Sequence, residues 1–252
     1  MHDPRLRQAL AHALFGGKRL RGLLLLESAV LCGMKREKAV RAAVALECLH
    51  SYSLVHDDLP SMDNDNMRRG KPTVHKKFGE AVAILAGDAL LTLAFEILAD
   101  KKTHPDPAVR AELSLILAKA AGTRGMVGGQ MLDIRLKKLS RTQLMQMHAM
   151  KTGELIRCAL EMGAILSGAR LGERRLLAEF GRNFGALYQL ADDLLDHIKD
   201  EKVGRPNAAT MLGAEAVRKL MKKHIRSAMH ALKPFAERAV TLQEMIRAVA
   251  RI

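Results

Sequence analysis

Between short breaks at glycine and proline, this chain reads as helix almost from end to end. Ala, Leu, Met, Glu, Lys and Arg dominate, and β-branched alternation bounded by turn residues is scarce. The breaks fall at 16–17, 32–33, 60, 70–72, 104–107, 122–129, 168, 204–206 and 234. They leave helical patterns over 39–59, 80–98, 108–123, 140–166, 174–198 and 237–251. Long apolar-faced helices with short joins predict an all-α fold, one helical bundle forming a single domain over 1–252. Aromatic residues are 3 % and Trp is absent, so aliphatic side chains must build most of the core.

Charge narrows the function classes. The 41 basic and 27 acidic residues give a net charge of +14, which calls for an anionic partner: nucleic acid, a membrane surface or a phosphorylated metabolite. Apolar stretches are broken by charge before the roughly 20 residues that a membrane span needs, and no N-terminal signal pattern is visible. The expectation is a cytoplasmic protein without stable membrane insertion. Cys32, Cys48 and Cys158 lie in apolar segments without C-x-x-C spacing, which points to buried thiols rather than a disulfide or zinc site.

Two acidic clusters choose among the partners. The first is His56-Asp57-Asp58-Leu59-Pro60-Ser61-Met62-Asp63, at the end of an apolar helix. Pro60 removes a helix hydrogen bond and crowds the His56 carbonyl, so the chain distorts and Asp63 can return toward Asp57. The second is Gln189-Leu190-Ala191-Asp192-Asp193-Leu194-Leu195-Asp196. Asp192 and Asp196 are four apart and share a helix face, with Asp193 beside them. One acidic cluster is commonly a solvated surface. Two, each with three carboxylates among apolar neighbours, repel themselves unless cations compensate. Mg²⁺ suits them, because it takes a few carboxylate oxygens and shares its other positions with water and substrate phosphates.

Basic residues accompany the acids. Gly16-Gly17-Lys18-Arg19-Leu20-Arg21 opens a helix with Lys18 and Arg21 one turn apart. His50 precedes Asp57 by two turns on the same face, Arg68 and Arg69 follow the first cluster, and Lys151-Thr152-Gly153 comes later. Any single basic pair is most often a solvated helix face. Arginine forks and lysine charges placed beside acid clusters are what a diphosphate needs.

From Phe15 to about Leu195 the sequence resembles the trans-prenyl (polyprenyl) diphosphate synthases, most nearly the bacterial short-chain members. The resemblance rests on D-D-x-x-x-x-D at 57–63, the Arg68-Arg69-Gly70 that follows, Phe78-Gly79-Glu80 through Ala86-Gly87-Asp88, Gly129-Gln130-Met131-Leu132-Asp133, Lys151-Thr152-Gly153 and D-D-x-x-D at 192–196. It implies an all-α isoprenoid-synthase bundle, usually a homodimer, with the aspartate motifs facing across a deep central cavity. It implies Asp57, Asp58, Asp63, Asp192, Asp193 and Asp196 as ligands of Mg²⁺, three ions per active site. Arg68, Lys151, Thr152 and Gln189 would contact an allylic diphosphate, and Lys18, Arg21, His50 and Arg69 would hold isopentenyl diphosphate. Asp57, Asp58, Lys151 and Asp192 would carry the catalysis.

The implied reaction ionises the allylic diphosphate, attacks the cation with the isopentenyl double bond and loses a proton. Tyr52, five residues before Asp57, and Ser53 beside it are the candidates for setting product length, since an aromatic there accompanies a farnesyl product in related enzymes. A partly buried core tyrosine is the competing reading. The expected product is farnesyl diphosphate, with geranylgeranyl diphosphate the alternative.

A terpene cyclase or a non-catalytic subunit of the same fold fits less well. Lys18, Arg21 and His50 supply a second-substrate site, and both aspartate motifs are intact. Nucleic-acid binding has only the net charge behind it. Two departures from the family stand out: fifteen residues precede Gly16, and the stretch 197–206 is short, with Lys199, Lys202 or Arg205 left to supply a closing cation.

Overall fold

The computed structural model describes residues 3–135, 140–203 and 207–251, with side chains throughout except at 199–203. Lys199, Lys202 and Arg205, the expected closing cations, therefore lie outside the described side chains. The described residues form α1 (Pro4–Leu14), α2 (Leu20–Leu31), α3 (Arg36–Asp57), a two-residue hairpin of β1 (Met67–Arg68) and β2 (Lys71–Pro72), α4 (Val74–Phe78), α5 (Glu80–Ala99) and α6 (Pro107–Ala121). They continue as α7 (Met126–Arg135), α8 (Arg141–His148), a π-turn at Ala149–Gly153, α9 (Glu154–Leu166), α10 (Leu171–Val203), α11 (Ala208–Leu212), α12 (Ala214–Leu232), a 3₁₀ stretch at Lys233–Ala239 and α13 (Val240–Ala250). The protein is all-α, as the periodicity predicts.

The chain divides into two compact units, Met1–Leu23 with Val40–Ser114, and Leu24–Ala39 with Leu115–Ile252. In the first, Asp3 caps α1 by accepting from the amides of Arg5 and Leu6 at 2.7 and 3.1 Å, with Pro4 at the first helical position. α1 packs on α4 and α5. Arg41 on α3 reaches Asp100, just past α5, at 2.6 Å. Leu46, Leu49, Leu90, Leu98 and Leu113 are fully buried, each contributing about 1.5–3 kcal/mol.

In the second unit α10 packs along both α9 and α12. Phe180 and Phe184 stack on its inner face with centroids 5.6 Å apart. With Phe235 they are the largest fully buried side chains, and the next in size are all leucines. Among the described residues of this unit, the apolar core is aliphatic apart from these rings. A Cβ on Gly163 would overlap the Leu25 carbonyl, so α9 and α2 meet nearly backbone to backbone, and Ser28 Oγ donates to the Leu160 carbonyl at 2.6 Å.

Three features differ from the sequence expectations. The glycines of 122–129 mark a turn only as far as Gly125. Gly128 and Gly129 are helical, and their missing side chains serve packing rather than chain reversal. Arg69 and Gly70 both take positive φ, 54° and 74°, which makes the two-residue hairpin turn that a right-handed strand twist favours. Finally, α5 is long and apolar enough to cross a membrane by length and composition. It is the only such helix among the described residues, and only 33 % of its apolar window is buried.

Candidate active site

In the first unit the chain leaves α3 as a tight loop. The Leu59 amide bonds the His56 carbonyl at 3.1 Å, and the Asp63 amide reaches back to the Asp57 carbonyl at 2.9 Å. Asp57 and Asp63 are thus held together by the backbone, and both remain partly exposed. Asp58 points the other way. It is 3 % exposed, and its Oδ1 accepts from Arg68 Nε at 2.6 Å and Nη2 at 2.5 Å. Burial raises the Asp58 pKa, and Arg68 only partly offsets that. Burial opposes the Arg68 charge too, but Asp58, Asp65 and Asp57 more than compensate. Asp65, not foreseen from the sequence, lies 3.2 Å from Arg68 Nη2.

The same unit gathers cations around His50. Arg21 Nη1 lies 3.0 Å from His50 Nε2. Burial, then Arg21, Arg69, Arg68 and Arg19, hold the imidazole pKa well below the ordinary range. The ring is therefore neutral, with Nε2 accepting from Arg21 and the proton on Nδ1. That Nδ1 is buried without a hydrogen-bond partner among the described residues. Burial, then Arg19 and Arg68, lower the Arg69 pKa. Its guanidinium lies where a side chain on Gly17 would go, and Nη1 is 3.4 Å from the Gly16 carbonyl. Glu47, also unforeseen, fixes the start of α2 by accepting from the Gly22 amide at 2.7 Å and pairing with Arg19 at 3.6 Å. Lys18 is exposed. A cavity of about 150 Å³ lies here, lined in part by Phe15, Gly16, Gly17, Asp58, Arg68 and Arg69.

Tyr52 and Ser53 are both buried on α3. Burial, then the Asp57 carboxylate, raise the Tyr52 pKa, and Ser53 Oγ donates to the His50 carbonyl at 2.9 Å.

In the second unit Lys151, Thr152 and Gly153 occupy the π-turn, a helix irregularity that the sequence does not announce and that frequents functional sites. Glycines lock it on two sides. A Cβ on Gly129 of α7 would overlap the Lys151 backbone, and one on Gly185 of α10 would come within 2.9 Å of Gly153 Cα. Lys151 Nζ pairs with Asp133 at 2.6 Å. Thr152 Oγ1 donates to Gln189 Oε1 at 3.0 Å, and Gln189 Nε2 donates to Asp193 Oδ1 at 2.9 Å. Asp193 is 5 % exposed, and its Oδ2 accepts from the Ala208 amide at 2.8 Å. His148 Nε2 is 3.8 Å from the same oxygen. Burial lowers the His148 pKa against the opposing pull of Asp193 and Asp133. Asp192 and Asp196 are exposed on α10, so the second triplet, like the first, has one aspartate turned inward.

These surroundings suit Mg²⁺. Among the described residues no three carboxylate, imidazole or thiol groups converge on a point. A hard ion that binds through one or two carboxylates and completes its shell with water and phosphate needs no such cage. Asp57 with Asp63, and Asp192 with Asp196, present that kind of open pair.

Known proteins match this arrangement. Residues 3–244 fit the Polyprenyl synthetase family model. The farnesyl diphosphate synthase of Geobacillus stearothermophilus is 43 % identical over 245 residues, 91 % of this chain and 82 % of that protein. The Escherichia coli farnesyl diphosphate synthase is 42 % identical over 90 % of this chain and 81 % of its own length. Among solved structures, an FPP/GFPP synthase from Zymomonas mobilis superposes with a TM-score of 0.93 at 42 % identity, covering 99 % of this chain and 90 % of that one. With this agreement of motifs, helices and relatives, the chain belongs to the polyprenyl synthetase family.

Proposed function

We propose that this protein is a Mg²⁺-dependent prenyltransferase that condenses isopentenyl diphosphate with dimethylallyl and geranyl diphosphates to give farnesyl diphosphate. The observation that carries this reading is the surroundings of His50, a buried N–H without an in-chain acceptor among the described residues, with Arg21, Arg69, Arg68 and Arg19 raising the local potential. Such a site is stable when an anion fills it. Isopentenyl diphosphate, held by Lys18, Arg21, His50 and Arg69, supplies one.

Asp57 with Asp63, and Asp192 with Asp196, would hold Mg²⁺, while Asp58 and Asp193, which the resemblance also implies as ligands, anchor Arg68 and Gln189. When bound, Mg²⁺ supplies charge that stabilises diphosphate as it departs. The residues do the rest. The family resemblance assigns Arg68, Lys151, Thr152 and Gln189 to the allylic diphosphate, and His50 and Arg69 would keep the second diphosphate in register. Tyr52 sets the chain length. The protein is a cytoplasmic homodimer, and the outward Ile84 and Leu85 of α5, 45 % and 57 % exposed, are the face offered to the second copy.

A twenty-carbon product is the second reading, favoured by a relative named geranylgeranyl pyrophosphate synthase 4 from Arabidopsis thaliana, 38 % identical over 91 % of this chain. Purified protein incubated with Mg²⁺, isopentenyl diphosphate and each allylic primer in turn decides. A fifteen-carbon product lost on chelation supports the first reading. A twenty-carbon product replaces it with the second, and no product from any primer rejects both.

A further inference from the structure

His56 has no role in the reaction as described, yet three contacts fix its ring. It follows Tyr52 by one turn of α3, and the two rings meet edge to face, with centroids 5.6 Å apart and planes at 85°. Its Nε2 lies 3.1 Å from the Ile84 carbonyl of α5. A carbonyl only accepts, so the proton sits on Nε2. The third contact is a notch, because a side chain on Gly87 would overlap three atoms of the imidazole. Asp88 Oδ1, at 3.9 Å, adds a negative charge on the same side. The ring is only part-exposed, with 28 % of its side-chain surface open.

An edge contact stabilises one orientation of each ring relative to the other. Tyr52 could swing about its own bonds if it stood alone on α3. With His56 pinned to α5 by a hydrogen bond and by the Gly87 notch, the edge of Tyr52 meets a fixed wall. The barrier to chain growth is then shared between two helices, α3 supplying the phenol and α5 the seat of its neighbour.

We propose that His56 is a positioning residue for product length, anchored to Ile84 and seated in the Gly87 notch so that its ring fixes the orientation of Tyr52. This rests on the reading of Tyr52 as the group that stops the chain. The ratio of twenty- to fifteen-carbon product is the readout, because it does not depend on how much enzyme is folded.

Four variants decide: Tyr52→Ala, His56→Ala, Gly87→Ala and the double variant Tyr52→Ala/His56→Ala, each given geranyl diphosphate and isopentenyl diphosphate. Gly87→Ala displaces the His56 ring from a different helix, and alanine suits a helix interior, so it stands in if His56→Ala does not fold. Tyr52→Ala should raise the ratio most. His56→Ala and Gly87→Ala should each raise it about threefold, the scale of one aromatic edge contact. The double variant should match Tyr52→Ala, because His56 acts through the phenol. If Tyr52→Ala lengthens the product while His56→Ala and Gly87→Ala match the parent, the His56 proposal alone fails. A double variant that exceeds Tyr52→Ala by the full effect of His56→Ala also overturns it. If Tyr52→Ala itself leaves the ratio unchanged, the reading of Tyr52 fails and takes this proposal with it.

Discussion

The Asp63 amide donates to the Asp57 carbonyl at 2.9 Å, closing a loop that brings two carboxylates six residues apart to the same end of α3. Pro60 makes the loop possible, because it cannot continue the helix hydrogen-bond ladder. Pro60→Ala returns the missing donor and lets α3 run on. Activity at limiting Mg²⁺ should fall by about tenfold or more, given what a 1 Å misplacement costs. A titration of rate against Mg²⁺ concentration would show the change as a weaker apparent metal affinity, with the melting temperature little altered because Pro60 is exposed.

Asp192 and Asp193 are adjacent but face opposite surroundings, and their substitutions should separate. Asp192→Asn removes an exposed carboxylate and should lower turnover by two orders of magnitude or so, with stability nearly unchanged. Asp193→Ala strands the Ala208 amide and Gln189 Nε2, at a cost of about 1–3 kcal/mol. Melting curves beside initial rates check both. Equal melting temperatures for the two variants would contradict the division of labour.

Gly129→Ala puts a methyl into the Lys151 backbone, where only main-chain movement can accommodate it. The expected cost is about 1–3 kcal/mol of stability, with a rise in KM for the allylic substrate as Lys151 and Thr152 shift. Gly172→Ala, on the same α10 as Gly185 but with nothing within 4 Å, is the control and should stabilise by up to about 1 kcal/mol.

Acid should destabilise the fold through its buried histidines. His50, His148 and His224 all have pKa values lowered by burial. The unfolded chain therefore takes up protons first as pH falls through about 6.5, and stability drops with it by at most about 1.4 kcal/mol per pH unit for each histidine. Asp58 works oppositely, because burial raises its pKa and protonation then favours the folded state. Thermal melts between pH 7.5 and 5.5 should show a falling midpoint. His148→Gln should flatten the slope.

Much of this is legible in the sequence. The predicted stretches 80–98 and 108–123 meet α5 and α6 within two residues at each end, since apolar period and flanking breaks encode both. The return of Asp63 toward Asp57 could be reasoned from Pro60. Other features could not. Spacing places Asp192, Asp193 and Asp196 on a helix but does not say which aspartate turns to the interior, because that depends on where the Ala208 amide comes to lie. The hairpin at Arg69-Gly70 uses strands too short to show alternation. Asp133 belongs to a motif but its pairing with Lys151 is not written in the spacing, and Glu47 reads as an ordinary helix acid although it accepts from the Gly22 amide.

The π-turn at Ala149–Gly153 amounts to one residue more than the regular helix would use. At 3.6 residues per turn, one residue is about 100° of rotation. α8 and α9 are therefore out of phase with each other, and the apolar face that buries Leu155, Ile156, Ala159 and Leu160 is correct only because the extra residue is there. Deleting a single residue from the turn would straighten the rod and rotate that face away from its partners. The irregularity that presents Lys151 and Thr152 is thus also the indexing step that seats α9, and a lineage could not shed it gradually without repacking α9 at the same time.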